Sequence, residues 1–185
     1  MEEKLLFKMV QGQIGYNFKN LDLLKQAFIR KSYTEENGGE NNEVLEFIGD
    51  KVLDFTVVKL LAQKYGRVEN GYICDRNEGE LTSLKSKMVG KKSLARRMDE
   101  LGFARHLIMG ESDIQNNINE QFSVKEDLFE AIIGAVAIDS CWDLNDIQSV
   151  VEIMLNPDLF LINEEETNYV KLIQEWELKK NGVIP

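Results

Sequence analysis

The chain has 185 residues, 43 % of them hydrophobic, and a formal net charge of −10, which suits one sizeable domain with an ordinary core. No apolar stretch is long and uncharged enough to span a bilayer, and Met1-Glu2-Glu3-Lys4 lacks the basic start and hydrophobic centre of a signal peptide. Cys74 and Cys141 stand alone with no CxxC and read as reduced thiols of a cytoplasmic protein.

Glu3 to Ile14 and Leu21 to Ile29 predict short amphipathic helices joined around Gly15 and Asn17. Thr34 to Asn42 is polar, contains Gly38-Gly39 and predicts a loop. Asn42 to Tyr65 predicts a long central helix, with Asn41 or Asn42 as its N-cap and Gly66 as its stop. Apolar residues cover most of its circumference, which argues for a helix running through a core. Arg67 to Asn77 predicts a polar connection. Glu80 to Val89 predicts a helix with Leu81, Leu84 and Met88 on one face, broken at Gly90. Ser93 to Leu101 predicts the next, with Leu94, Ala95 and Met98 inward. Ile108 to Ser123, rich in Asn and Gln, predicts a loop. Val124 to Asp139 predicts a second buried helix whose small residues permit close approach, and Leu144 to Leu155 an amphipathic one ending at Asn156-Pro157. Residues 158–167 predict a linker, and Asn168 to Lys180 a last helix. No strand is convincing, and the predicted class is all-α.

The negative total argues against phosphate binding in general, but charge is local. Between Glu80 and Asp99 there is no acid, while Lys85, Lys87, Lys91, Lys92, Arg96 and Arg97 are all present. This basic segment could contact phosphates or could be a solvated face.

The chemistry points to the two apolar helices. Glu43, Glu46 and Asp50 are spaced by three and four residues along one stripe of the central helix. Asp127 and Glu130 are three apart on the second helix. An acidic pair at helical spacing usually faces water. Two such pairs on two apolar helices can converge if the helices meet. Carboxylates about 5 Å apart repel by roughly 3 kcal/mol at an effective dielectric near 20, so four could not stay ionised together without cations. Oxygen donors with no nearby His or Cys suit Mg²⁺, with Mn²⁺ able to substitute, over Zn²⁺. His106, the only histidine, reads as structural, and Trp142 as a packing residue.

The stretch Asn42-Glu43-Val44-Leu45-Glu46-Phe47-Ile48-Gly49-Asp50-Lys51-Val52-Leu53-Asp54-Phe55 resembles the signature of the ribonuclease III catalytic domain. Tyr16 to Tyr33 resembles the segment before that signature, Glu78 to Val89 the helix after it, and Glu126 to Asp139 the family's second acidic motif. The resemblance runs from about Leu5 to Leu155, in family order. It implies an all-α, dimeric endonuclease-domain bundle over residues 1–157. Glu46, Asp50, Asp127 and Glu130 match the metal-binding catalytic carboxylates, and Glu43 and Glu78 the auxiliary acids lining the cleavage valley. Phe47 matches an aromatic at the homodimer interface, and Asn42 a polar position that contacts RNA. The implied activity is Mg²⁺-dependent cleavage of double-stranded RNA to 5′-phosphate and 3′-hydroxyl ends in rRNA and mRNA processing, with no organic cofactor and no membrane partner. Residues 168–185 resemble the first helix and turn of a double-stranded-RNA-binding domain, without its strands.

The chain departs from the family pattern in three places. Arg30 stands where the family commonly has His, Lys51 follows Asp50 where a small residue is common, and Glu126 precedes Asp127 where Ala is usual. Two rival readings remain at this stage: a non-catalytic duplex-RNA-binding module of the same fold, and an all-α nucleotide pyrophosphohydrolase. The retained carboxylates count against the first. The wide separation of the two acidic pairs counts against the second.

Overall fold

A computed structural model describes residues 2–158, 160, 161, 174 and 176. The chain divides into one unit of residues 1–155 and another of 156–185. Apart from Gln174 and Trp176, the expected final helix and the start of an RNA-binding domain lie outside the described residues, as does most of the expected linker.

The first unit is helical, as expected: α1 (Glu2–Ile14), α2 (Leu21–Ala27), α3 (Lys31–Asn37), α4 (Glu43–Tyr65), α5 (Glu78–Met88), α6 (Lys91–Leu101), α7 (Glu111–Gln115), α8 (Phe122–Asp139) and α9 (Leu144–Leu155). No described helix is long and apolar enough to cross a membrane.

α8 is the centre of the core. Leu128, Phe129, Ala131, Ile132, Ile133, Ala135, Val136 and Ala137 are all buried, because α4, α6, α2 and α9 pack around it. Each large side chain so enclosed stabilises the fold by about 1.5–3 kcal/mol. α4 makes the most extensive contact with α8, and its Leu45, Val52, Leu53, Val57 and Leu61 are buried. The inward faces expected of α6 are also observed, with Leu94, Ala95 and Met98 fully enclosed.

The C-terminus of α8 is tied to the start of the chain. Asp139, only 6 % exposed, accepts hydrogen bonds from Tyr16 Oη at 2.8 Å and from the backbone N–H groups of Lys19 and Asn20, also at 2.8 Å. Burial and then the Asp139 carboxylate push the Tyr16 phenol well above its ordinary range. Lys125 is a second buried strut within α8. Its Nζ lies 2.6 Å from Asp99 and 2.8 Å from Glu120, so two carboxylates offset the cost of enclosing one ammonium.

Four expectations need correction. The connection at Arg67 to Asn77 holds an antiparallel hairpin, β1 (Gly66–Val68) and β2 (Tyr72–Cys74), pairing Val68 with Tyr72. Asn70-Gly71 between short β-prone runs is the sequence signal for it. Tyr72 Oη donates to Ala62 O at 3.0 Å and anchors the hairpin to the end of α4. The expected loop from Thr34 is partly helical, because α3 is anchored in space. Ser32 Oγ donates to Asp113 at 2.7 Å, and the Glu36 carboxylate accepts from Glu111 N. The same bonds stabilise α7 inside the second expected loop. Finally, α5 starts two residues early. Asn77 Oδ1 accepts from Glu80 N, and the Glu80 carboxylate accepts from Asn77 N, closing a capping box.

Candidate active site

The site forms where α4 crosses α8, and two glycines set the crossing. A Cβ built on Gly49 would overlap the Glu130 carbonyl, and one built on Gly134 would overlap the Leu45 carbonyl. Backbone therefore lies on backbone at this point, and any larger residue would force the helices apart. Gly49 adjoins Asp50 and lies three residues beyond Glu46. Gly134 lies one helical turn beyond Glu130. The crossing thus brings the two acidic pairs to one side of the contact.

Glu46 and Glu130 feel the acids around them. Burial, then the charges of Asp127 and Glu43, raises Glu46 to about 7. Burial, then Asp50, Glu126, Glu46 and Asp127, raises Glu130 to about 8. Asp127 is raised too, mainly by burial, and Arg30 opposes the shift. This is the signature of several anions competing for too little solvent.

Three cations are already in place. Arg30 Nη1 lies 3.5 Å from Asp127 Oδ2, Lys51 Nζ 2.7 Å from Asp50 Oδ2, and Lys91 Nζ 3.2 Å from Glu126 Oε2. Among the described residues, no three carboxylates are gathered closely enough to hold an ion as the side chains stand. The donor chemistry nonetheless fits a hard divalent cation: oxygen ligands only, crowded until Glu46 and Glu130 titrate near neutrality.

The remaining expected residues fall as follows. Glu43 is exposed and paired with Lys31 Nζ at 3.1 Å, and its charge reaches Glu46. Glu78 is exposed in the first turn of α5, where Thr82 Oγ1 donates to it at 3.4 Å. Asn42 is enclosed, only 4 % exposed, and its Nδ2 has no hydrogen-bond partner. The cap at the start of α4 comes from Asn41, whose Oδ1 accepts from Glu43 N at 3.0 Å.

Phe47 is 68 % exposed. It belongs to a stripe with Val44, Phe55 and Val58, all exposed. The apolar residues that encircle α4 therefore mark two faces, one packed on α8 and one open. Beside the open face, Trp142 and Leu144 complete a pocket of about 340 Å³. Trp142 is exposed there, against the expectation that it packs.

The basic segment is largely internal in its pairing. Lys85 meets Asp54 at 2.6 Å, Lys91 meets Glu126, and Arg96 and Arg97 meet Glu100. His106 accepts from Arg105 Nε at 3.1 Å, and burial lowers its pKa, in keeping with a structural role. Sequence reasoning noted Arg30 only as a departure and passed over Asp113. Residues so distant in the chain carry no spacing signal.

Fold and site together define a helical domain with acidic pairs on two closely crossing helices. A sequence model of the Ribonuclease-III-like family matches residues 20–157. The chain is 49 % identical, over its whole length, to 56 % of the Ribonuclease 3 of Roseburia hominis. The nuclease domain of ribonuclease III from Campylobacter jejuni superposes with a TM-score of 0.69 at 28 % identity, covering 82 % of this chain and 94 % of that one. A second structure of that domain, concerned with flexibility in its region of dimer formation, gives 0.63 at 29 % identity over 84 % and 95 %. The chain belongs to the Ribonuclease-III-like family. It spans about half the length of the curated relatives it matches.

Proposed function

We propose that this domain is a divalent-metal-dependent endoribonuclease that cleaves double-stranded RNA to 5′-phosphate and 3′-hydroxyl ends, in cytoplasmic RNA maturation. The observation that carries the reading is the glycine-set crossing that crowds Glu46, Asp50, Asp127 and Glu130 together. Family membership supports it.

These four residues would hold Mg²⁺, or Mn²⁺ in its place. When bound, the ion supplies a water activated for attack on phosphorus and positive charge opposite the developing negative charge. The protein's part is to hold the donors. α4 presents Glu46 and Asp50, α8 presents Asp127 and Glu130, and neither pair can drift while the backbones touch. Glu43 sits beside Glu46 as a supporting anion, and Glu78 is assigned to the same cleft by the family pattern. Duplex RNA would be recognised by A-form shape, 2′-hydroxyls and phosphates rather than base edges. No side-chain nucleophile is required.

The exposed stripe of Phe47, Val44, Phe55 and Val58 with Trp142 supports a homodimer whose paired sites address both strands. Asn42, as an RNA contact, is proposed from the family pattern alone. Residues 168–185 are proposed to open a double-stranded-RNA-binding domain after a linker at 158–167.

The test is direct. Asp50→Asn or Glu130→Gln, given labelled duplex RNA and Mg²⁺, is expected to slow cleavage on the order of a hundredfold or more. Either variant cutting at the parent's rate removes the assignment. Duplex RNA bound tightly by the parent without cleavage, in both Mg²⁺ and Mn²⁺, would favour a binding module instead.

A further inference from the structure

Arg30 is more enclosed than the other cations of the site. Its side chain is 21 % exposed, against 71 % for Lys51 and 53 % for Lys91. It is also held in place. Its backbone N–H donates to Ile108 O at 2.9 Å within a short parallel bridge between Ile29 and Ile108. Its Nε donates to Asp113 Oδ2 at 3.1 Å. That same oxygen accepts from Ser32 Oγ, and the Ser32 oxygen accepts in turn from Gly110 N at 3.1 Å. The guanidinium is thereby aimed at Asp127 by residues that take no part in the carboxylate cluster.

Asp127 is thus turned toward a cation of the protein. So is Asp50, toward Lys51, but that pair is open to water and screened by salt. The Arg30 pair is less screened. It accounts in part for four crowded carboxylates standing together with no three gathered as a cage.

We infer that Arg30 is a resident counter-ion: it holds Asp127 in the metal-free protein and must give up that carboxylate when a divalent cation is taken up. The inference rests on the reading of these carboxylates as a metal site. It makes Arg30 a positioning residue whose removal has two effects of opposite sign. Without Arg30 the metal-free cluster loses its nearest enclosed positive charge and the protein is less stable. The incoming metal no longer meets a fixed positive charge or competes for Asp127, and binds more tightly.

Isothermal titration with Mg²⁺ and Mn²⁺, alongside thermal melts in EDTA, reads both effects. Arg30→Gln is expected to bind either ion about three- to tenfold more tightly, from the removal of one charge several ångströms away in a partly screened site. Its metal-free Tm is expected to fall by about 2–4 °C. Arg30→Lys keeps the charge without the fork and should bind metal within about twofold of the parent. A residue that merely props up the fold would lower stability and affinity together. Unchanged or weakened metal binding in Arg30→Gln therefore overturns the inference.

Should Arg30→Gln not fold, the parent answers. The Arg30 Nε–H resonance in a nitrogen-15 spectrum, assigned through its own backbone, must shift as Mg²⁺ saturates, and a stationary signal overturns the inference. Parent protein that cleaves duplex RNA while Arg30 is indifferent to metal defeats this inference alone. Metal uptake that releases Arg30 without RNA cleavage defeats the proposed activity and leaves the role of Arg30 standing. A parent that takes up neither ion overturns both.

Discussion

Gly49 and Gly134 touch through their backbones: a Cβ on Gly49 would sit 2.9 Å from Gly134 N, and one on Gly134 would sit 3.1 Å from Gly49 N. Each also faces a carbonyl of the partner helix, so neither helix can yield alone. Gly134→Ala is expected to destabilise the domain by about 1–3 kcal/mol, the range of overpacked cores, measured by urea unfolding. Activity should fall further than stability explains, because a displacement near 1 Å at a reacting centre costs on the order of a hundredfold. An alanine variant with parental stability and rate would show that the crossing is not the constraint.

The crowded carboxyls predict an unusual pH dependence. Glu46 and Glu130 titrate near the ordinary 4.5 when unfolded, and near 7 and 8 in the folded, metal-free protein. Between those limits the folded state holds protons that the unfolded state has lost. Their stabilising contribution is therefore full below about pH 4.5 and is lost as pH rises through 7 to 8. In EDTA, Glu130→Gln should raise the Tm at pH 8 by roughly 2–4 °C and change it little at pH 5. Saturating Mg²⁺ should flatten the parent's slope. A parent whose metal-free Tm climbs from pH 6 to 8 as steeply as that of Glu130→Gln would contradict the shifts.

The open face of α4 should be separable from folding. Phe47→Glu places a charge on a side chain that this fold leaves exposed. Sedimentation is expected to show the variant as a monomer where the parent is a dimer, with its metal-free Tm at monomer level within a few degrees. A dimeric Phe47→Glu would move the interface elsewhere.

Asp139 offers a control remote from the proposed chemistry. Its carboxylate accepts from Tyr16, Lys19 and Asn20. Asp139→Ala strands these donors and should cost about 3 kcal/mol, and Tyr16→Phe about 1 kcal/mol. Chemical denaturation separates the two. Equal losses would mean that the backbone donors contribute nothing.

What the sequence disclosed follows from the range of the forces involved. α4, α8 and α9 are written in local periodicity, and the acids of α4 and α8 could be grouped by spacing alone. That the two pairs meet depends on Gly49 and Gly134, whose small size hints at an approach without naming the partner. α3 and α7 escaped notice because their stability is tertiary: Ser32 to Asp113 and Glu36 to Glu111 are bonds between segments that look like loops. Periodicity alone does not separate the open face of α4 from the packed one, for a simpler reason. An apolar residue awaiting a partner looks the same in sequence as one already buried.

The bond between Tyr16 and Asp139 spans 123 positions, and the pair Arg30–Asp127 spans 97. Contacts of such long range are slow to form. Synthesis, during which the chain emerges at roughly 5–20 residues per second, also sets when they can form. A nascent chain displays Glu46 and Asp50 for several seconds before Asp127 and Glu130 exist outside the ribosome. On the proposed assignment, only half a centre is then exposed amid the ribosome's own RNA, without the donors of the other helix. With the four carboxylates in their proposed role, splitting the donors between an early and a late helix makes completion of the domain a condition for activity, a safeguard that one compact linear motif would not supply.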